Sequence, residues 1–241
     1  MTPAKRAVAL ALVGGYVDAV GYVMLRGLFP NHVTGNLPIA AAHGGLHALP
    51  ALLMVPLWLA AVVAVAGVAG QVRRRDPSRV LPTVLAVEAV LLGGFLVLGV
   101  SLIPGPDSST LVTQTIVTGA GVLAMAAQSV VSRLAGYAYP TTMVTGTLTL
   151  LGMDGAQVLF RQHSSDDRSR LRAQVRTLGR AVVAFAAGAG LGGVAVHRMN
   201  FWAIALPLVV VGVCAVRERA GEPLPAPPRR QLPVPGGPAA R

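Results

Sequence analysis

A chain of 241 residues that is 54% hydrophobic and only 12% charged, with a mean hydropathy of +0.64, is too apolar for a soluble domain and reads as an integral membrane protein. Its net charge of +11 would suit a nucleic-acid binder, but the Lys and Arg residues cluster between hydrophobic spans. That is the pattern of the positive-inside rule, and it argues against nucleic acid as a partner. The single cysteine, Cys214, has no second thiol to pair with, and no Cys/His spacing marks a metal site.

In chain order, Lys5 and Arg6 precede a first apolar span over residues 7–25, which carries Asp18 in its middle. A cleavable secretory signal would share the basic start and the Ala9-Leu10-Ala11 run, but the apolar stretch continues past both. Residues 26–47 contain Pro30, Asn31, His32, Thr34, Asn36, Pro38, His43 and His47, too polar and broken to face lipid. A second span over 48–70 ends at Arg73-Arg74-Arg75, and a third over 80–101 holds Glu88. The turn at 102–109 has no Lys or Arg, and the fourth span, 110–132, is rich in small and hydroxyl residues and carries Gln128 and Ser129.

Residues 137–160 repeat the earlier polar turn and short apolar run. Residues 161–180 hold Arg161, Arg168, Arg170, Arg172, Arg176 and Arg180, with Leu171, Val175 and Leu178 at helical spacing, which predicts a basic amphipathic helix lying on anionic lipids. Two last spans, 181–197 and 201–216, are joined by a very short turn. Seven prolines between Pro223 and Pro238 then predict a disordered tail over 221–241.

The chain is organised around a repeated turn. His32-Val33-Thr34-Gly35-Asn36-Leu37 has a second copy in Met143-Val144-Thr145-Gly146-Thr147-Leu148, and the interval from Asp18 to Thr34 equals that from Ser129 to Thr145. If about six spans cross and the two Thr-Gly segments only re-enter, all but Arg26 and Arg198 of the 20 Lys and Arg fall on one side with both termini. The expected fold is therefore all-α. It has a first unit over 7–101 and a second over 110–216, related as an inverted 3+3 repeat in the manner of secondary transporters.

The candidate pathway follows from what is costly in a membrane. Asp18 and Glu88 are mid-span carboxyls, expected to face the bundle interior and able to carry a proton between them. Thr34, Gly35 and Asn36, and likewise Thr145, Gly146 and Thr147, are expected to turn sharply and cap the following short helices. Two helix N-termini aimed at the midplane would favour an anionic or zwitterionic solute. His43 and His47 share a helical spacing but give no three-ligand set, so no metal is expected. Gly188-Ala189-Gly190-Leu191-Gly192-Gly193 has the form of a dinucleotide fingerprint but no strand beside it, and reads as helix packing with Gly188 and Gly192 on one face.

Gly15-Tyr16-Val17-Asp18-Ala19, Phe29 with His32-Val33-Thr34-Gly35-Asn36, Ala127-Gln128-Ser129 and Thr141-Thr142-Met143-Val144-Thr145-Gly146-Thr147-Leu148 together resemble the YoaK-like family of uncharacterised bacterial inner-membrane proteins, over most of residues 7–216. The resemblance implies a six-span membrane protein and carries no activity. Ser129 stands where that family commonly has asparagine.

No nucleophile–base arrangement supports an enzyme, and no cofactor is expected. A small-solute transporter or permease, for an anionic solute with proton coupling, ranks first. A non-transporting scaffold or sensor with a basic cytoplasmic face ranks second. In either case the expected setting is the bacterial inner membrane with both termini cytoplasmic, in contact with anionic lipids at Arg161 to Arg180, as a monomer or a homo-oligomer.

Overall fold

The computed structural model of the protein describes residues 1–136, 144–160 and 165–219. Among them are the helices α1 (Pro3–Met24), α2 (Asn36–His43), α3 (Leu49–Arg75), α4 (Val80–Leu102), α5 (Leu111–Leu134), α6 (Val144–Leu159), α7 (Ser165–Met199) and α8 (Ala205–Arg219). Among the described residues five stretches are long and apolar enough to cross a membrane: Pro3–Met24, Leu49–Arg75, Pro77–Leu102, Leu111–Leu134 and Ser169–Arg219. The protein is a multi-pass, all-α membrane protein. The Pro-rich tail expected at 221–241 lies outside the described residues.

Named contacts give the helix directions. Leu12 lies against Gly188 and Tyr16 against Gly192, so α1 and α7 run the same way. Gln114 Nε2 donates to the Leu25 carbonyl at 2.7 Å and Gln128 Nε2 donates to the Leu10 carbonyl at 2.9 Å, so α5 runs against α1. Within the last stretch the chain reverses. Asn200 takes a left-handed φ of +48°, Phe201 inserts against Gly99 and Phe95, and Glu218 pairs with Arg6 at 2.5 Å. α8 therefore returns alongside α4 and ends beside the start of α1.

With these directions Lys5, Arg6, Arg73, Arg74, Arg75, Arg133, Arg217 and Arg219 gather at one end of the bundle, and Arg26 and Arg198 at the other. Asp76 sits in the basic α3–α4 connection. Hydrogen bonds from the Ser78 hydroxyl and amide hold its carboxyl below the ordinary carboxylate range, which keeps it ionised among the arginines.

α1 and α7 meet backbone to backbone because glycines on each helix face the main chain of the other. A Cβ at Gly15 would overlap the Phe185 carbonyl, one at Gly188 the Leu12 carbonyl, and one at Gly192 would stand 2.6 Å from the Tyr16 carbonyl oxygen. This is the small-residue packing expected for Gly188 and Gly192, whereas Gly193 meets no neighbour.

Two sequence expectations need correction. The basic amphipathic segment is no separate surface helix: its described part is continuous with the next span in the 35-residue α7. No Pro interrupts the chain between Arg176 and Val183, and the single Gly179 lies inside the helix without breaking it, so the helix propagates through the change in composition. At ~1.5 Å per residue α7 is about 50 Å long against a hydrocarbon core of about 30 Å, so one end must project beyond it. His43 and His47 also do not share a helix. α2 ends at His43, and Gly44 and Gly45, at φ +64° and +54°, turn the chain before a 3-10 turn over Gly45–Ala48.

Candidate functional site

The segment after α1 re-enters the bundle. Arg26 at φ +52° and Gly27 at φ +90° reverse the chain, and Arg26 reaches the Asp107 carbonyl at that end of the molecule. The returning strand wedges Pro30 between Gly21 of α1 and Gly121 of α5. A Cβ at Gly121 would stand 2.9 Å from Pro30, and one at Gly21 would overlap its ring. The chain reaches the level of Asp18, which is roughly 10 Å below Leu25 at helical rise.

Asp18, only 5% exposed, holds the tip of this loop. Its Oδ1 accepts from the Asn31 amide N–H at 2.8 Å, and its Oδ2 pairs with Nδ1 of His32. A buried carboxyl with two such partners is compensated locally. Val33–Gly35 forms a 3-10 turn and α2 follows directly.

The capping expected of Thr34 and Asn36 is absent: no side chain caps the 3-10 turn or α2. Asn36 is fully buried and grips Phe29 instead. Its Oδ1 accepts from the Phe29 N–H at 2.8 Å and its Nδ2 donates to the Phe29 carbonyl at 3.0 Å. Re-entry leaves those backbone groups without a helical partner, and the carboxamide supplies both. Thr147 likewise lies inside α6, which is 16 residues long and no short half-helix. The expected anion site at two capped N-termini therefore loses its basis in the first segment.

A cavity of about 700 Å³ opens beside the re-entrant tip. Asn31, His32, Val33 and Thr34 form one part of its wall, and Thr145 and Gly146 at the start of α6 form another. α3 contributes Val55, Trp58, Val62 and Ala66, and α5 contributes Ser129, Val130, Arg133 and Leu134. Exposed Arg133 belongs to the basic end, so the cavity extends from the Asp18–His32 pair toward that end.

Of the residues singled out from sequence, Thr34, Ser129, Thr145 and Gly146 meet in this cavity, and Asp18 stands behind it through His32. Gly35 packs beside Phe29 and lies outside the lining. Gln128 faces the other way and bonds α1. Glu88 is not in this site: it is fully buried on α4 near Cys214 of α8, with no hydrogen-bond partner among the described residues for either carboxyl oxygen. The structure does not bring Asp18 and Glu88 together as one proton-carrying pair. Asn31, Trp58 and Arg133 were not assigned to the site from sequence. Asn31 adjoins the Thr-Gly motif, the one signal that pointed to it, whereas Trp58 sits in a helix with no motif and Arg133 lies one turn beyond Ser129 of the α5 motif.

The apolar spans, the re-entrant loop held by a buried carboxyl and the cavity between helices define a polytopic helical membrane protein. The chain belongs to the family described as "Protein of unknown function (DUF1275)", whose model matches residues 6–217. That agrees with the family resemblance read from its motifs. No curated protein and no solved structure matches the chain.

Proposed function

We propose that the protein is a small-solute secondary transporter of six crossings in two inverted units, and that the cavity beside Thr34 and Thr145 is its solute site. The observation that carries this reading is convergence: residues of both Thr-Gly segments, far apart in sequence, line one cavity. The helix packing supports an inverted repeat. Exchanging α1 with α5, α2 with α6, α3 with α7 and α4 with α8 maps the α1–α7 contact onto α5–α3, α2–α3 onto α6–α7, and α4–α8 onto itself. The antiparallel relation of α1 to α5 is the relation that inversion requires.

The gathering of basic residues at one end supports a cytoplasmic position for that end, with the cavity facing inward. The Asp18–His32 pair and the Pro30 wedge then form the closed floor on the outer side.

Side-resolved thiol labelling tests this. On a Cys214→Ser background, Thr34→Cys and Ser129→Cys should react with a membrane-impermeant thiol reagent from the basic face and not from the other. Val90→Cys, 74% exposed on α4 and lipid-facing, should react from neither. Silence at Thr34→Cys and Ser129→Cys from both faces, with Arg74→Cys labelled, would mean a sealed structural plug and return the scaffold reading to first place.

A further inference from the structure

Among the cavity walls one polar side chain stands out. Asn31 is only 3% exposed, yet neither its Nδ2 nor its Oδ1 has a hydrogen-bond partner among the described residues. An unmatched buried donor or acceptor is costly, so a carboxamide unpartnered on both atoms beside a cavity is a place for a ligand to bind. Its backbone N–H is already committed to Asp18, which fixes the residue in place.

Among the described residues the unpaired charge facing the cavity is positive. His32 is paired with Asp18, and no described Asp or Glu belongs to the lining. Arg133 makes no salt bridge among the described residues, which leaves an uncompensated cation on the path between the basic end and Asn31. The rest of the wall is mostly apolar, with Trp58 the largest side chain in it and Thr34, Ser129 and Thr145 its hydroxyl residues, and a volume of about 700 Å³ far exceeds an inorganic ion.

From this arrangement we propose that the cavity binds organic acids with an apolar body, the carboxyl group directed to Asn31, the body against Trp58 and the aliphatic walls, and Arg133 attracting the anion on entry. This names the solute class of the transport site and rests on the reading given above. A carboxylate oxygen accepts from Nδ2 of Asn31; a carboxamide could match both Asn31 atoms, so the preference for the acid comes from the positive charge of Arg133. An amine would meet Arg133 with like charge and could use only the Oδ1 of Asn31, leaving its Nδ2 unmatched.

The protein contains two tryptophans, so a Trp202→Phe variant leaves Trp58 as the only indole reporter. The purified full chain is titrated with three probes of one shape that do not absorb with tryptophan: cyclohexanecarboxylate, cyclohexanecarboxamide and cyclohexylmethylamine. The carboxylate should shift Trp58 emission saturably, the carboxamide at least tenfold more weakly, and the amine not at all. Arg133→Gln, at an exposed position, should abolish the preference for carboxylate over carboxamide, and Asn31→Leu should weaken both at least tenfold. Equal responses to carboxylate and amine, or an Arg133→Gln variant with unchanged preference, would overturn the proposal. So would silence of Trp58 toward all three probes while thiol reagent reaches Thr34→Cys, an outcome that leaves the transport reading standing. Failure of that reagent to reach Thr34→Cys from either face would count against transport itself.

Discussion

Replacing Asp18 with alanine is expected to destabilise the protein by about 3–5 kcal/mol, the usual cost of removing one partner of a buried polar pair. The carboxylate holds the loop tip at two points, the Asn31 N–H at 2.8 Å and the His32 ring, and its loss strands a buried N–H and an imidazole at the same depth. The measurement is the midpoint of thermal unfolding in detergent, with membrane abundance beside it. Asp18→Asn separates structure from charge. The amide oxygen can still accept from Asn31, and the amide N–H can donate to Nδ1 of His32 in the tautomer protonated on Nε2. The asparagine variant should therefore keep most of its abundance, and any function that needs the charged pair should be lost. Equal loss of abundance in both variants would mean that the charge itself holds the fold.

Gly188→Leu should have an effect at least as large, through backbone approach. A Cβ at this position already overlaps the Leu12 carbonyl, and a backbone atom, unlike a flexible side chain, cannot rotate aside. α1 would be driven off α7, and with it the scaffold that holds Asp18, His32 and Phe185, whose rings meet edge to face at 5.5 Å. Overpacking ordinarily costs roughly 1–3 kcal/mol, and a clash with backbone at a long helix contact belongs at or above that range. Expression as aggregate or loss of the parent protein's folded peak in size-exclusion chromatography is the expected result. Gly193→Leu, one position from Gly192 and free of neighbours, should behave as the parent protein does.

How much of this could be read from sequence depended on whether the signal was local. The first span was legible because an uninterrupted apolar run carries one carboxyl, and the re-entrant segment because polar residues and prolines cannot face lipid. The joining of the basic segment to the following span was hidden, since amphipathic spacing reports which face is apolar and says nothing of where a helix ends. Asn36 was read as a cap because asparagine before an apolar run usually is one. Its grip on Phe29 depends on a chain reversal that the spacing does not encode. Thr34, Ser129, Thr145 and Gly146 were found through the repeat, but the wall from α3 lacks any motif, and Trp58 reads as ordinary apolar composition. Glu88 was grouped with Asp18 because both are mid-span carboxyls. The rotation of α4 that turns Glu88 toward α8 is set by packing alone.

The meeting of the two Thr-Gly segments at one cavity is tested most directly by intramolecular crosslinking. A Thr34→Cys, Thr145→Cys double variant on the Cys214→Ser background, treated at high dilution with a short bismaleimide and digested, should yield a linked peptide pair joining the two positions within one chain. Single labelling of both cysteines with no linked pair would place the two segments in separate environments and contradict the shared site.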